Sequence, residues 1–137
     1  MARNARKENF QRLIPEALKA KKNSYSPYSK FRVGAALLSQ SGKIFTGCNI
    51  ENSSFSLTQC AERTALFKAI SESERKFTAI AISSDSGKYI TPCGACRQVL
   101  LELAGNIDVI LVNSKGKSKV TKLAKLLPLP FDGKMFK

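Results

Sequence analysis

Three cysteines and one glutamate carry the strongest chemical signal in this 137-residue chain. Cys60 and Glu62 stand in Cys60-Ala61-Glu62, and Cys93 and Cys96 in Pro92-Cys93-Gly94-Ala95-Cys96. Thiolates are zinc ligands, and a zinc centre that performs chemistry takes three protein ligands and leaves its fourth position to water. Cys60, Cys93 and Cys96 supply three. Glu62, two residues beyond the first, can reach water at such a centre without displacing it, which is the position of a general acid and base. The same cysteines admit other readings. A C-x-x-C pair also occurs in redox motifs and as half of a structural zinc site, and Cys48 could close a four-cysteine site. Against closure, Cys48 lacks a C-x-x-C partner and a structural zinc has no use for Glu62. The open site is therefore preferred, with Cys48 a small buried residue.

The elements that must position these groups follow from spacing. Cys60 opens a helix reaching Ile70, whose apolar stripe is Ala61, Ala65, Leu66 and Ala69, and Cys93 and Cys96 open a second helix over Gly94 to Leu103. A helix amino terminus offers unpaired N–H groups and a positive dipole end, both of which favour thiolate. Upstream, Phe10, Leu13, Ile14, Ala17 and Leu18 space a helix from about Asn9 to Lys22, with Pro15 in its first turn. A loop over Asn23 to Lys30 follows. Phe31 to Leu38 and Lys43 to Cys48 then read as a hairpin about the turn Gln40-Ser41-Gly42. Further strands are expected at Thr78 to Ser83, Asp108 to Val112 and near Lys119 to Thr121. Strands alternate with helices, so the fold class is α/β in one domain over 1–137, with residues 1–12 a basic amino-terminal extension.

Composition narrows the function classes. With 43% hydrophobic and 24% charged residues, disorder and fibrous repeats are excluded. The basic amino terminus has no apolar run behind it, and no stretch is long enough to span a membrane. The expectation is therefore a reducing cytoplasm, where cysteines serve as metal ligands or catalytic groups. The net charge is +13. Its two clusters, seven cations between Arg3 and Lys22 and five more at Lys115, Lys117, Lys119, Lys122 and Lys125, flank the cysteine-rich middle without interleaved aromatics. A solvated face is favoured over nucleic-acid binding, and no membrane partner is expected.

Cys-Ala-Glu followed by Pro-Cys-Gly-Ala-Cys resembles the signature of the zinc-dependent cytidine deaminases. Ser26-Pro27-Tyr28-Ser29-Lys30-Phe31, Gly47-Cys48-Asn49-Ile50-Glu51-Asn52, Cys60-Ala61-Glu62-Arg63-Thr64-Ala65 and Cys96-Arg97-Gln98 extend the resemblance from about Leu13 to Phe131, most closely to the small homotetrameric type. The resemblance implies a helix-flanked mixed β-sheet in three layers. It also implies one Zn2+ per subunit on Cys60, Cys93 and Cys96, and hydrolysis of cytidine and 2'-deoxycytidine to the uridine nucleosides and ammonia in pyrimidine salvage. Glu62 would take a proton from the water attacking C4, deliver it to N3, and shuttle a proton to the leaving 4-amino group. Phe31 would pack on the pyrimidine, Asn49 and Glu51 would grip the ribose, and the backbone at Ser53 would meet the base carbonyl. Three thiolates leave a zinc site with excess negative charge, which the resemblance assigns to Arg63 to offset through hydrogen bonds to ligand sulfur, with Gln98 in the same outer layer. Phe131 would contact a neighbouring subunit's site. Phe55 departs from the pattern, standing where Tyr is expected.

Three rivals remain at this level. A deaminase of another cytosine compound, such as blasticidin S, is disfavoured by Glu51, whose carboxylate suits a free hydroxylated sugar. A polynucleotide cytosine deaminase is supported only by the charge. A zinc-stabilised basic binding module would need Cys48 as a fourth ligand.

Overall fold

The computed structural model describes residues 2–136. Five strands form one mixed sheet: β1 (Val33–Ser39), β2 (Ile44–Cys48), β3 (Phe77–Ser84), β4 (Asp108–Val112) and β5 (Ser118–Lys122), in the spatial order β2-β1-β3-β4-β5. The β1–β2 hairpin is antiparallel, as are the β1–β3 and β4–β5 pairs, while β3 and β4 run parallel. Four helices flank it: α1 (Ala2–Lys21), α2 (Ala61–Ser71), α3 (Gly94–Ala104) and the single turn α4 (Leu123–Leu126), the last not foreseen from sequence.

The period-two alternation of side chains divides each central strand between two apolar layers. Ala35, Leu37, Ile80, Ile82, Val109 and Leu111 face one side and pack with Ala61, Ala65 and Leu66 of α2 and Leu100 of α3. Their neighbours Ala36, Leu38, Ala79, Ala81, Ile110 and Val112 face the other side, covered by Leu13 and Ala17 of α1. A sheet covered on both faces needs near-continuous apolar strands, which is how β1, β3 and β4 read. The three-layer expectation holds.

Two glycines allow the helices to press on the sheet. A Cβ at Gly34 would lie 2.3 Å from the Ala17 carbonyl oxygen in α1, and one at Gly47 would lie 2.6 Å from the Ala61 carbonyl oxygen and the Ala65 nitrogen in α2. The second contact seats the helix that carries Glu62.

The amino-terminal helix corrects the sequence reading. It runs from Ala2, not from about Asn9, so residues 2–12 of the expected extension are continuous with it, residue 1 lying outside the described residues, and Pro15 is interior rather than in the first turn. The early turns are held from a distance. Arg6 makes a paired hydrogen bond to Asp108 of β4 at 2.8 and 2.9 Å and stacks over the Phe10 ring at 5.4 Å. Local periodicity carries no sign of such a contact. Phe31, read as the first strand residue, lies just ahead of β1.

Candidate active site

Two helix starts converge on one point. Cys60 caps α2 and Cys93 caps α3, both in extended backbone conformation, and neither side chain makes a capping hydrogen bond, so each thiol is free to face the other. Cys96 lies one turn into α3 and is fully buried. The three sulfurs all lie within 4.8 Å of one another, with Cys60 and Cys93 at 4.0 Å. Tetrahedral zinc with Zn–S bonds of about 2.3 Å needs sulfurs roughly 3.8 Å apart, so this donor set fits that ion.

Electrostatics already favour thiolate at Cys60. Its thiol is pulled down to about 5, chiefly by the Cys96 thiol donating to it and also by Arg63, whose Nη2 donates to the sulfur at 3.3 Å. Cys96 is pushed up, because it gives that hydrogen bond and is buried. Arg63 Nε is buried without a partner, so the guanidinium is committed to this corner at some desolvation cost. Glu62, 4% exposed, faces the cysteines, and burial lifts its carboxyl to about 7, with the Cys60 charge acting the same way. A carboxyl near neutrality can both accept and return a proton.

Above these groups opens a cavity of about 290 Å3 whose wall includes Phe31, Asn49, Glu51, Cys60, Glu62 and Cys93. It lies near the lower end of the roughly 300–1,000 Å3 range of small-molecule sites. Asn49 and Glu51 do more than line it. The Asn49 amide donates to the Phe31 carbonyl at 2.8 Å and accepts from the Val33 N–H at 2.9 Å. The Glu51 carboxylate accepts from the N–H groups of Tyr28 and Ser29 at 3.0 and 3.1 Å and from the Ser29 hydroxyl. That Ser29 hydroxyl is the main reason the Glu51 carboxyl is held below its usual range. Together the pair fastens the Ser26–Phe31 loop and aims Phe31 into the cavity.

Other expected residues are placed differently. Ser53 is exposed and absent from the cavity wall. Gln98 pairs its amide with the Phe131 backbone at 2.8 and 3.1 Å. Phe131 is 58% exposed and stacks edge-on against Phe136. Phe55 lines the cavity from the short 3-10 turn Phe55–Leu57. Cys48 is only half-buried and stands apart from the three-thiol group, beside Thr46, Gly47, Thr64 and Lys68 around a second, smaller hollow. Burial pushes its thiol up. Sequence reasoning missed Ile82, Ser84, Ile90 and Thr91, which also line the wall. Their only sequence signal was position, at the end of β3 and just before Cys93.

Comparison with known proteins gives a consistent picture. The model of the cytidine and deoxycytidylate deaminase zinc-binding region matches residues 7–112. A cytidine deaminase of Sporosarcina psychrophila is 53% identical over 124 residues, covering 90% of this chain and 91% of the relative. One of Halalkalibacterium halodurans is 50% identical over 122 residues, covering 88% and 92%. The 1.6 Å crystal structure of cytidine deaminase from Burkholderia pseudomallei superposes with a TM-score of 0.85 at 48% identity, covering 88% of this chain and 98% of that one.

Proposed function

The chain belongs to the cytidine and deoxycytidylate deaminase zinc-binding family, and from that premise we propose how its own residues carry out the reaction. It is a zinc-dependent hydrolase that converts cytidine and 2'-deoxycytidine to uridine and 2'-deoxyuridine with release of ammonia, a step of pyrimidine salvage. The observation that carries the residue assignment is the meeting of three sulfurs, two of them, from Cys60 and Cys93, on the wall of one cavity that the buried Glu62 also lines.

Cys60, Cys93 and Cys96 would hold Zn2+, which when bound would supply a Lewis acid that makes water a nucleophile near neutral pH. Glu62 is the proton carrier. Its carboxylate takes a proton from the water that attacks C4 of cytosine and returns it to N3. It then takes the proton of the new C4 hydroxyl and passes it to the 4-amino nitrogen as the C4–N bond breaks and C4=O forms, so that cytidine and water become uridine and ammonia. Its buried setting excludes bulk water from competing for that proton. Arg63, donating to Cys60, withdraws charge from the sulfur and so favours ionisation of the water.

Phe31 offers a face to the pyrimidine from the cavity wall. Asn49 retains one amide N–H beyond its loop contacts, and Glu51 presents a carboxylate, so the two offer a donor and an acceptor to the sugar hydroxyls. The assembly we propose is a homotetramer in the cytoplasm. In support, the large apolar side chains of Phe55, Leu57, Leu129, Phe131, Met135 and Phe136 are exposed, as residues covered by a neighbouring chain would be. All four cysteines are free, as a reducing compartment would leave them. Among the described residues no helix is long and apolar enough to cross a membrane.

The test is direct. Zinc-loaded protein given cytidine or deoxycytidine should release equimolar ammonia and uracil nucleoside, and stripping the metal should stop turnover until zinc is restored. Activity confined to blasticidin S or to single-stranded nucleic acid would overturn the substrate assignment.

A further inference from the structure

Of the three sulfurs, that of Cys93 is held least by its own element. Cys96 is inside α3 and buried. Cys60 has its carbonyl fixed twice by Thr64, through the backbone N–H at 3.0 Å and the hydroxyl at 3.1 Å. Cys93 is exposed, precedes the helix, and follows Thr91 and Pro92 in a stretch with no regular structure. Pro92 has no N–H with which to anchor that stretch.

Arg97, one turn into α3, supplies the missing anchor. Its Nε donates to the Pro92 carbonyl at 2.7 Å, its Nη2 to the Thr91 hydroxyl at 2.7 Å, and its Nη1 to the Leu126 carbonyl at the end of α4 at 2.8 Å. All three guanidinium nitrogens are engaged, and the planar fork fixes three acceptors from two separate segments relative to one another. Its backbone N–H also donates to the Cys93 carbonyl at 3.0 Å, so Arg97 bonds the backbone carbonyls of both Pro92 and Cys93. We propose that Arg97 is a positioning residue for the metal centre: it sets the place of the Cys93 sulfur by clamping Thr91–Pro92 to the first turn of α3 and to α4.

This rests on the assignment of Cys93 as a zinc ligand. Residues that orient a ligand commonly cost about 10–100-fold in metal affinity or activity when lost. Arg97→Ala should therefore raise the zinc dissociation constant about tenfold or more in competition with a chelator, and should shift the sulfur-to-metal absorption of the cobalt-substituted protein. It should lower kcat with little change in KM, because Phe31, Asn49 and Glu51 stand on other segments. Arg97→Lys keeps the charge but cannot meet three acceptors, so it should resemble Arg97→Ala. The metal-free variants are melted alongside: a role in stability alone would lower the melting temperature and leave zinc affinity and the cobalt spectrum unchanged. Parental zinc affinity in Arg97→Ala, or full recovery by Arg97→Lys, overturns the proposal. If Arg97→Ala does not fold, Thr91→Val removes one acceptor alone, and an unchanged cobalt spectrum there overturns it equally. Failure of the parent protein to bind zinc would instead refute the ligand assignment beneath it.

Discussion

Asn49 illustrates how one residue can serve both substrate and scaffold. Its type and its place in Gly47-Cys48-Asn49-Ile50-Glu51 are legible in the sequence, but its hold on Phe31 and Val33 is not, because those partners are set by the fold of a separate loop. Replacing it with alanine leaves a carbonyl and an N–H without partners, each worth about 1–3 kcal/mol when buried. Asn49→Ala should therefore raise KM for cytidine and also lower the denaturant midpoint; loss of binding with unchanged stability would deny it the scaffold role. Cys48 gives the opposite lesson. Composition alone could not exclude it as a fourth ligand, whereas its position outside the sulfur cluster does. Cys48→Ala should retain one zinc per chain and the parental cobalt spectrum, and loss of a sulfur band would restore the closed structural site.

The elements position the site through a few close contacts. Gly47 lets α2 approach β2, and an added Cβ would meet helix backbone at 2.6 Å. Gly47→Ala should cost about 1–3 kcal/mol in denaturant unfolding, the usual range for overpacking, and should weaken activity by displacing Cys60 and Glu62 together. The end of β3 is tied to the Phe31 loop by Asp85, which accepts from the Arg32 N–H at 2.9 Å and pairs with the Arg32 and Lys21 side chains. The Arg32 guanidinium first, with Lys21 adding, holds the Asp85 carboxyl down to about 2. The native state thus binds this proton less readily than the unfolded chain, whose aspartates titrate near about 3.9. The stabilisation is complete above that value and is lost as pH falls through about 2. Asp85→Asn should flatten this part of the acid-unfolding profile, and an identical pH dependence would contradict the link. Helices and strands with a clear period were legible because each carries its own pattern. The start of α1 was not, since Arg6 and Asp108 meet only after folding. The hold of Gln98 on Phe131 was not legible for the same reason, that partner being far along the chain.

At the scale of the whole molecule, the charge and the apolar rim make separate demands. Twelve of the 23 basic residues behind the net charge of +13 fall in two clusters, Arg3 to Lys22 and Lys115 to Lys125, and neither contributes a residue to the cavity wall. Cytidine turnover should consequently be unaffected by added single-stranded DNA at physiological salt, and competitive inhibition would show that strands reach the site. Exposed Phe131 and Phe136 belong to the proposed contact between chains. Light scattering should give four times the chain mass, and Phe131→Ala should shift that equilibrium toward smaller species; a monomer of full activity would contradict the assembly. The central claim is narrower, that Glu62 moves the proton beside a three-cysteine zinc centre. It is tested most directly by Glu62→Gln, measuring zinc content and single-turnover conversion of cytidine in the same sample. The account predicts one zinc per chain, as in the parent, with the rate reduced by at least about 100-fold. A full complement of zinc with a near-parental rate would contradict it.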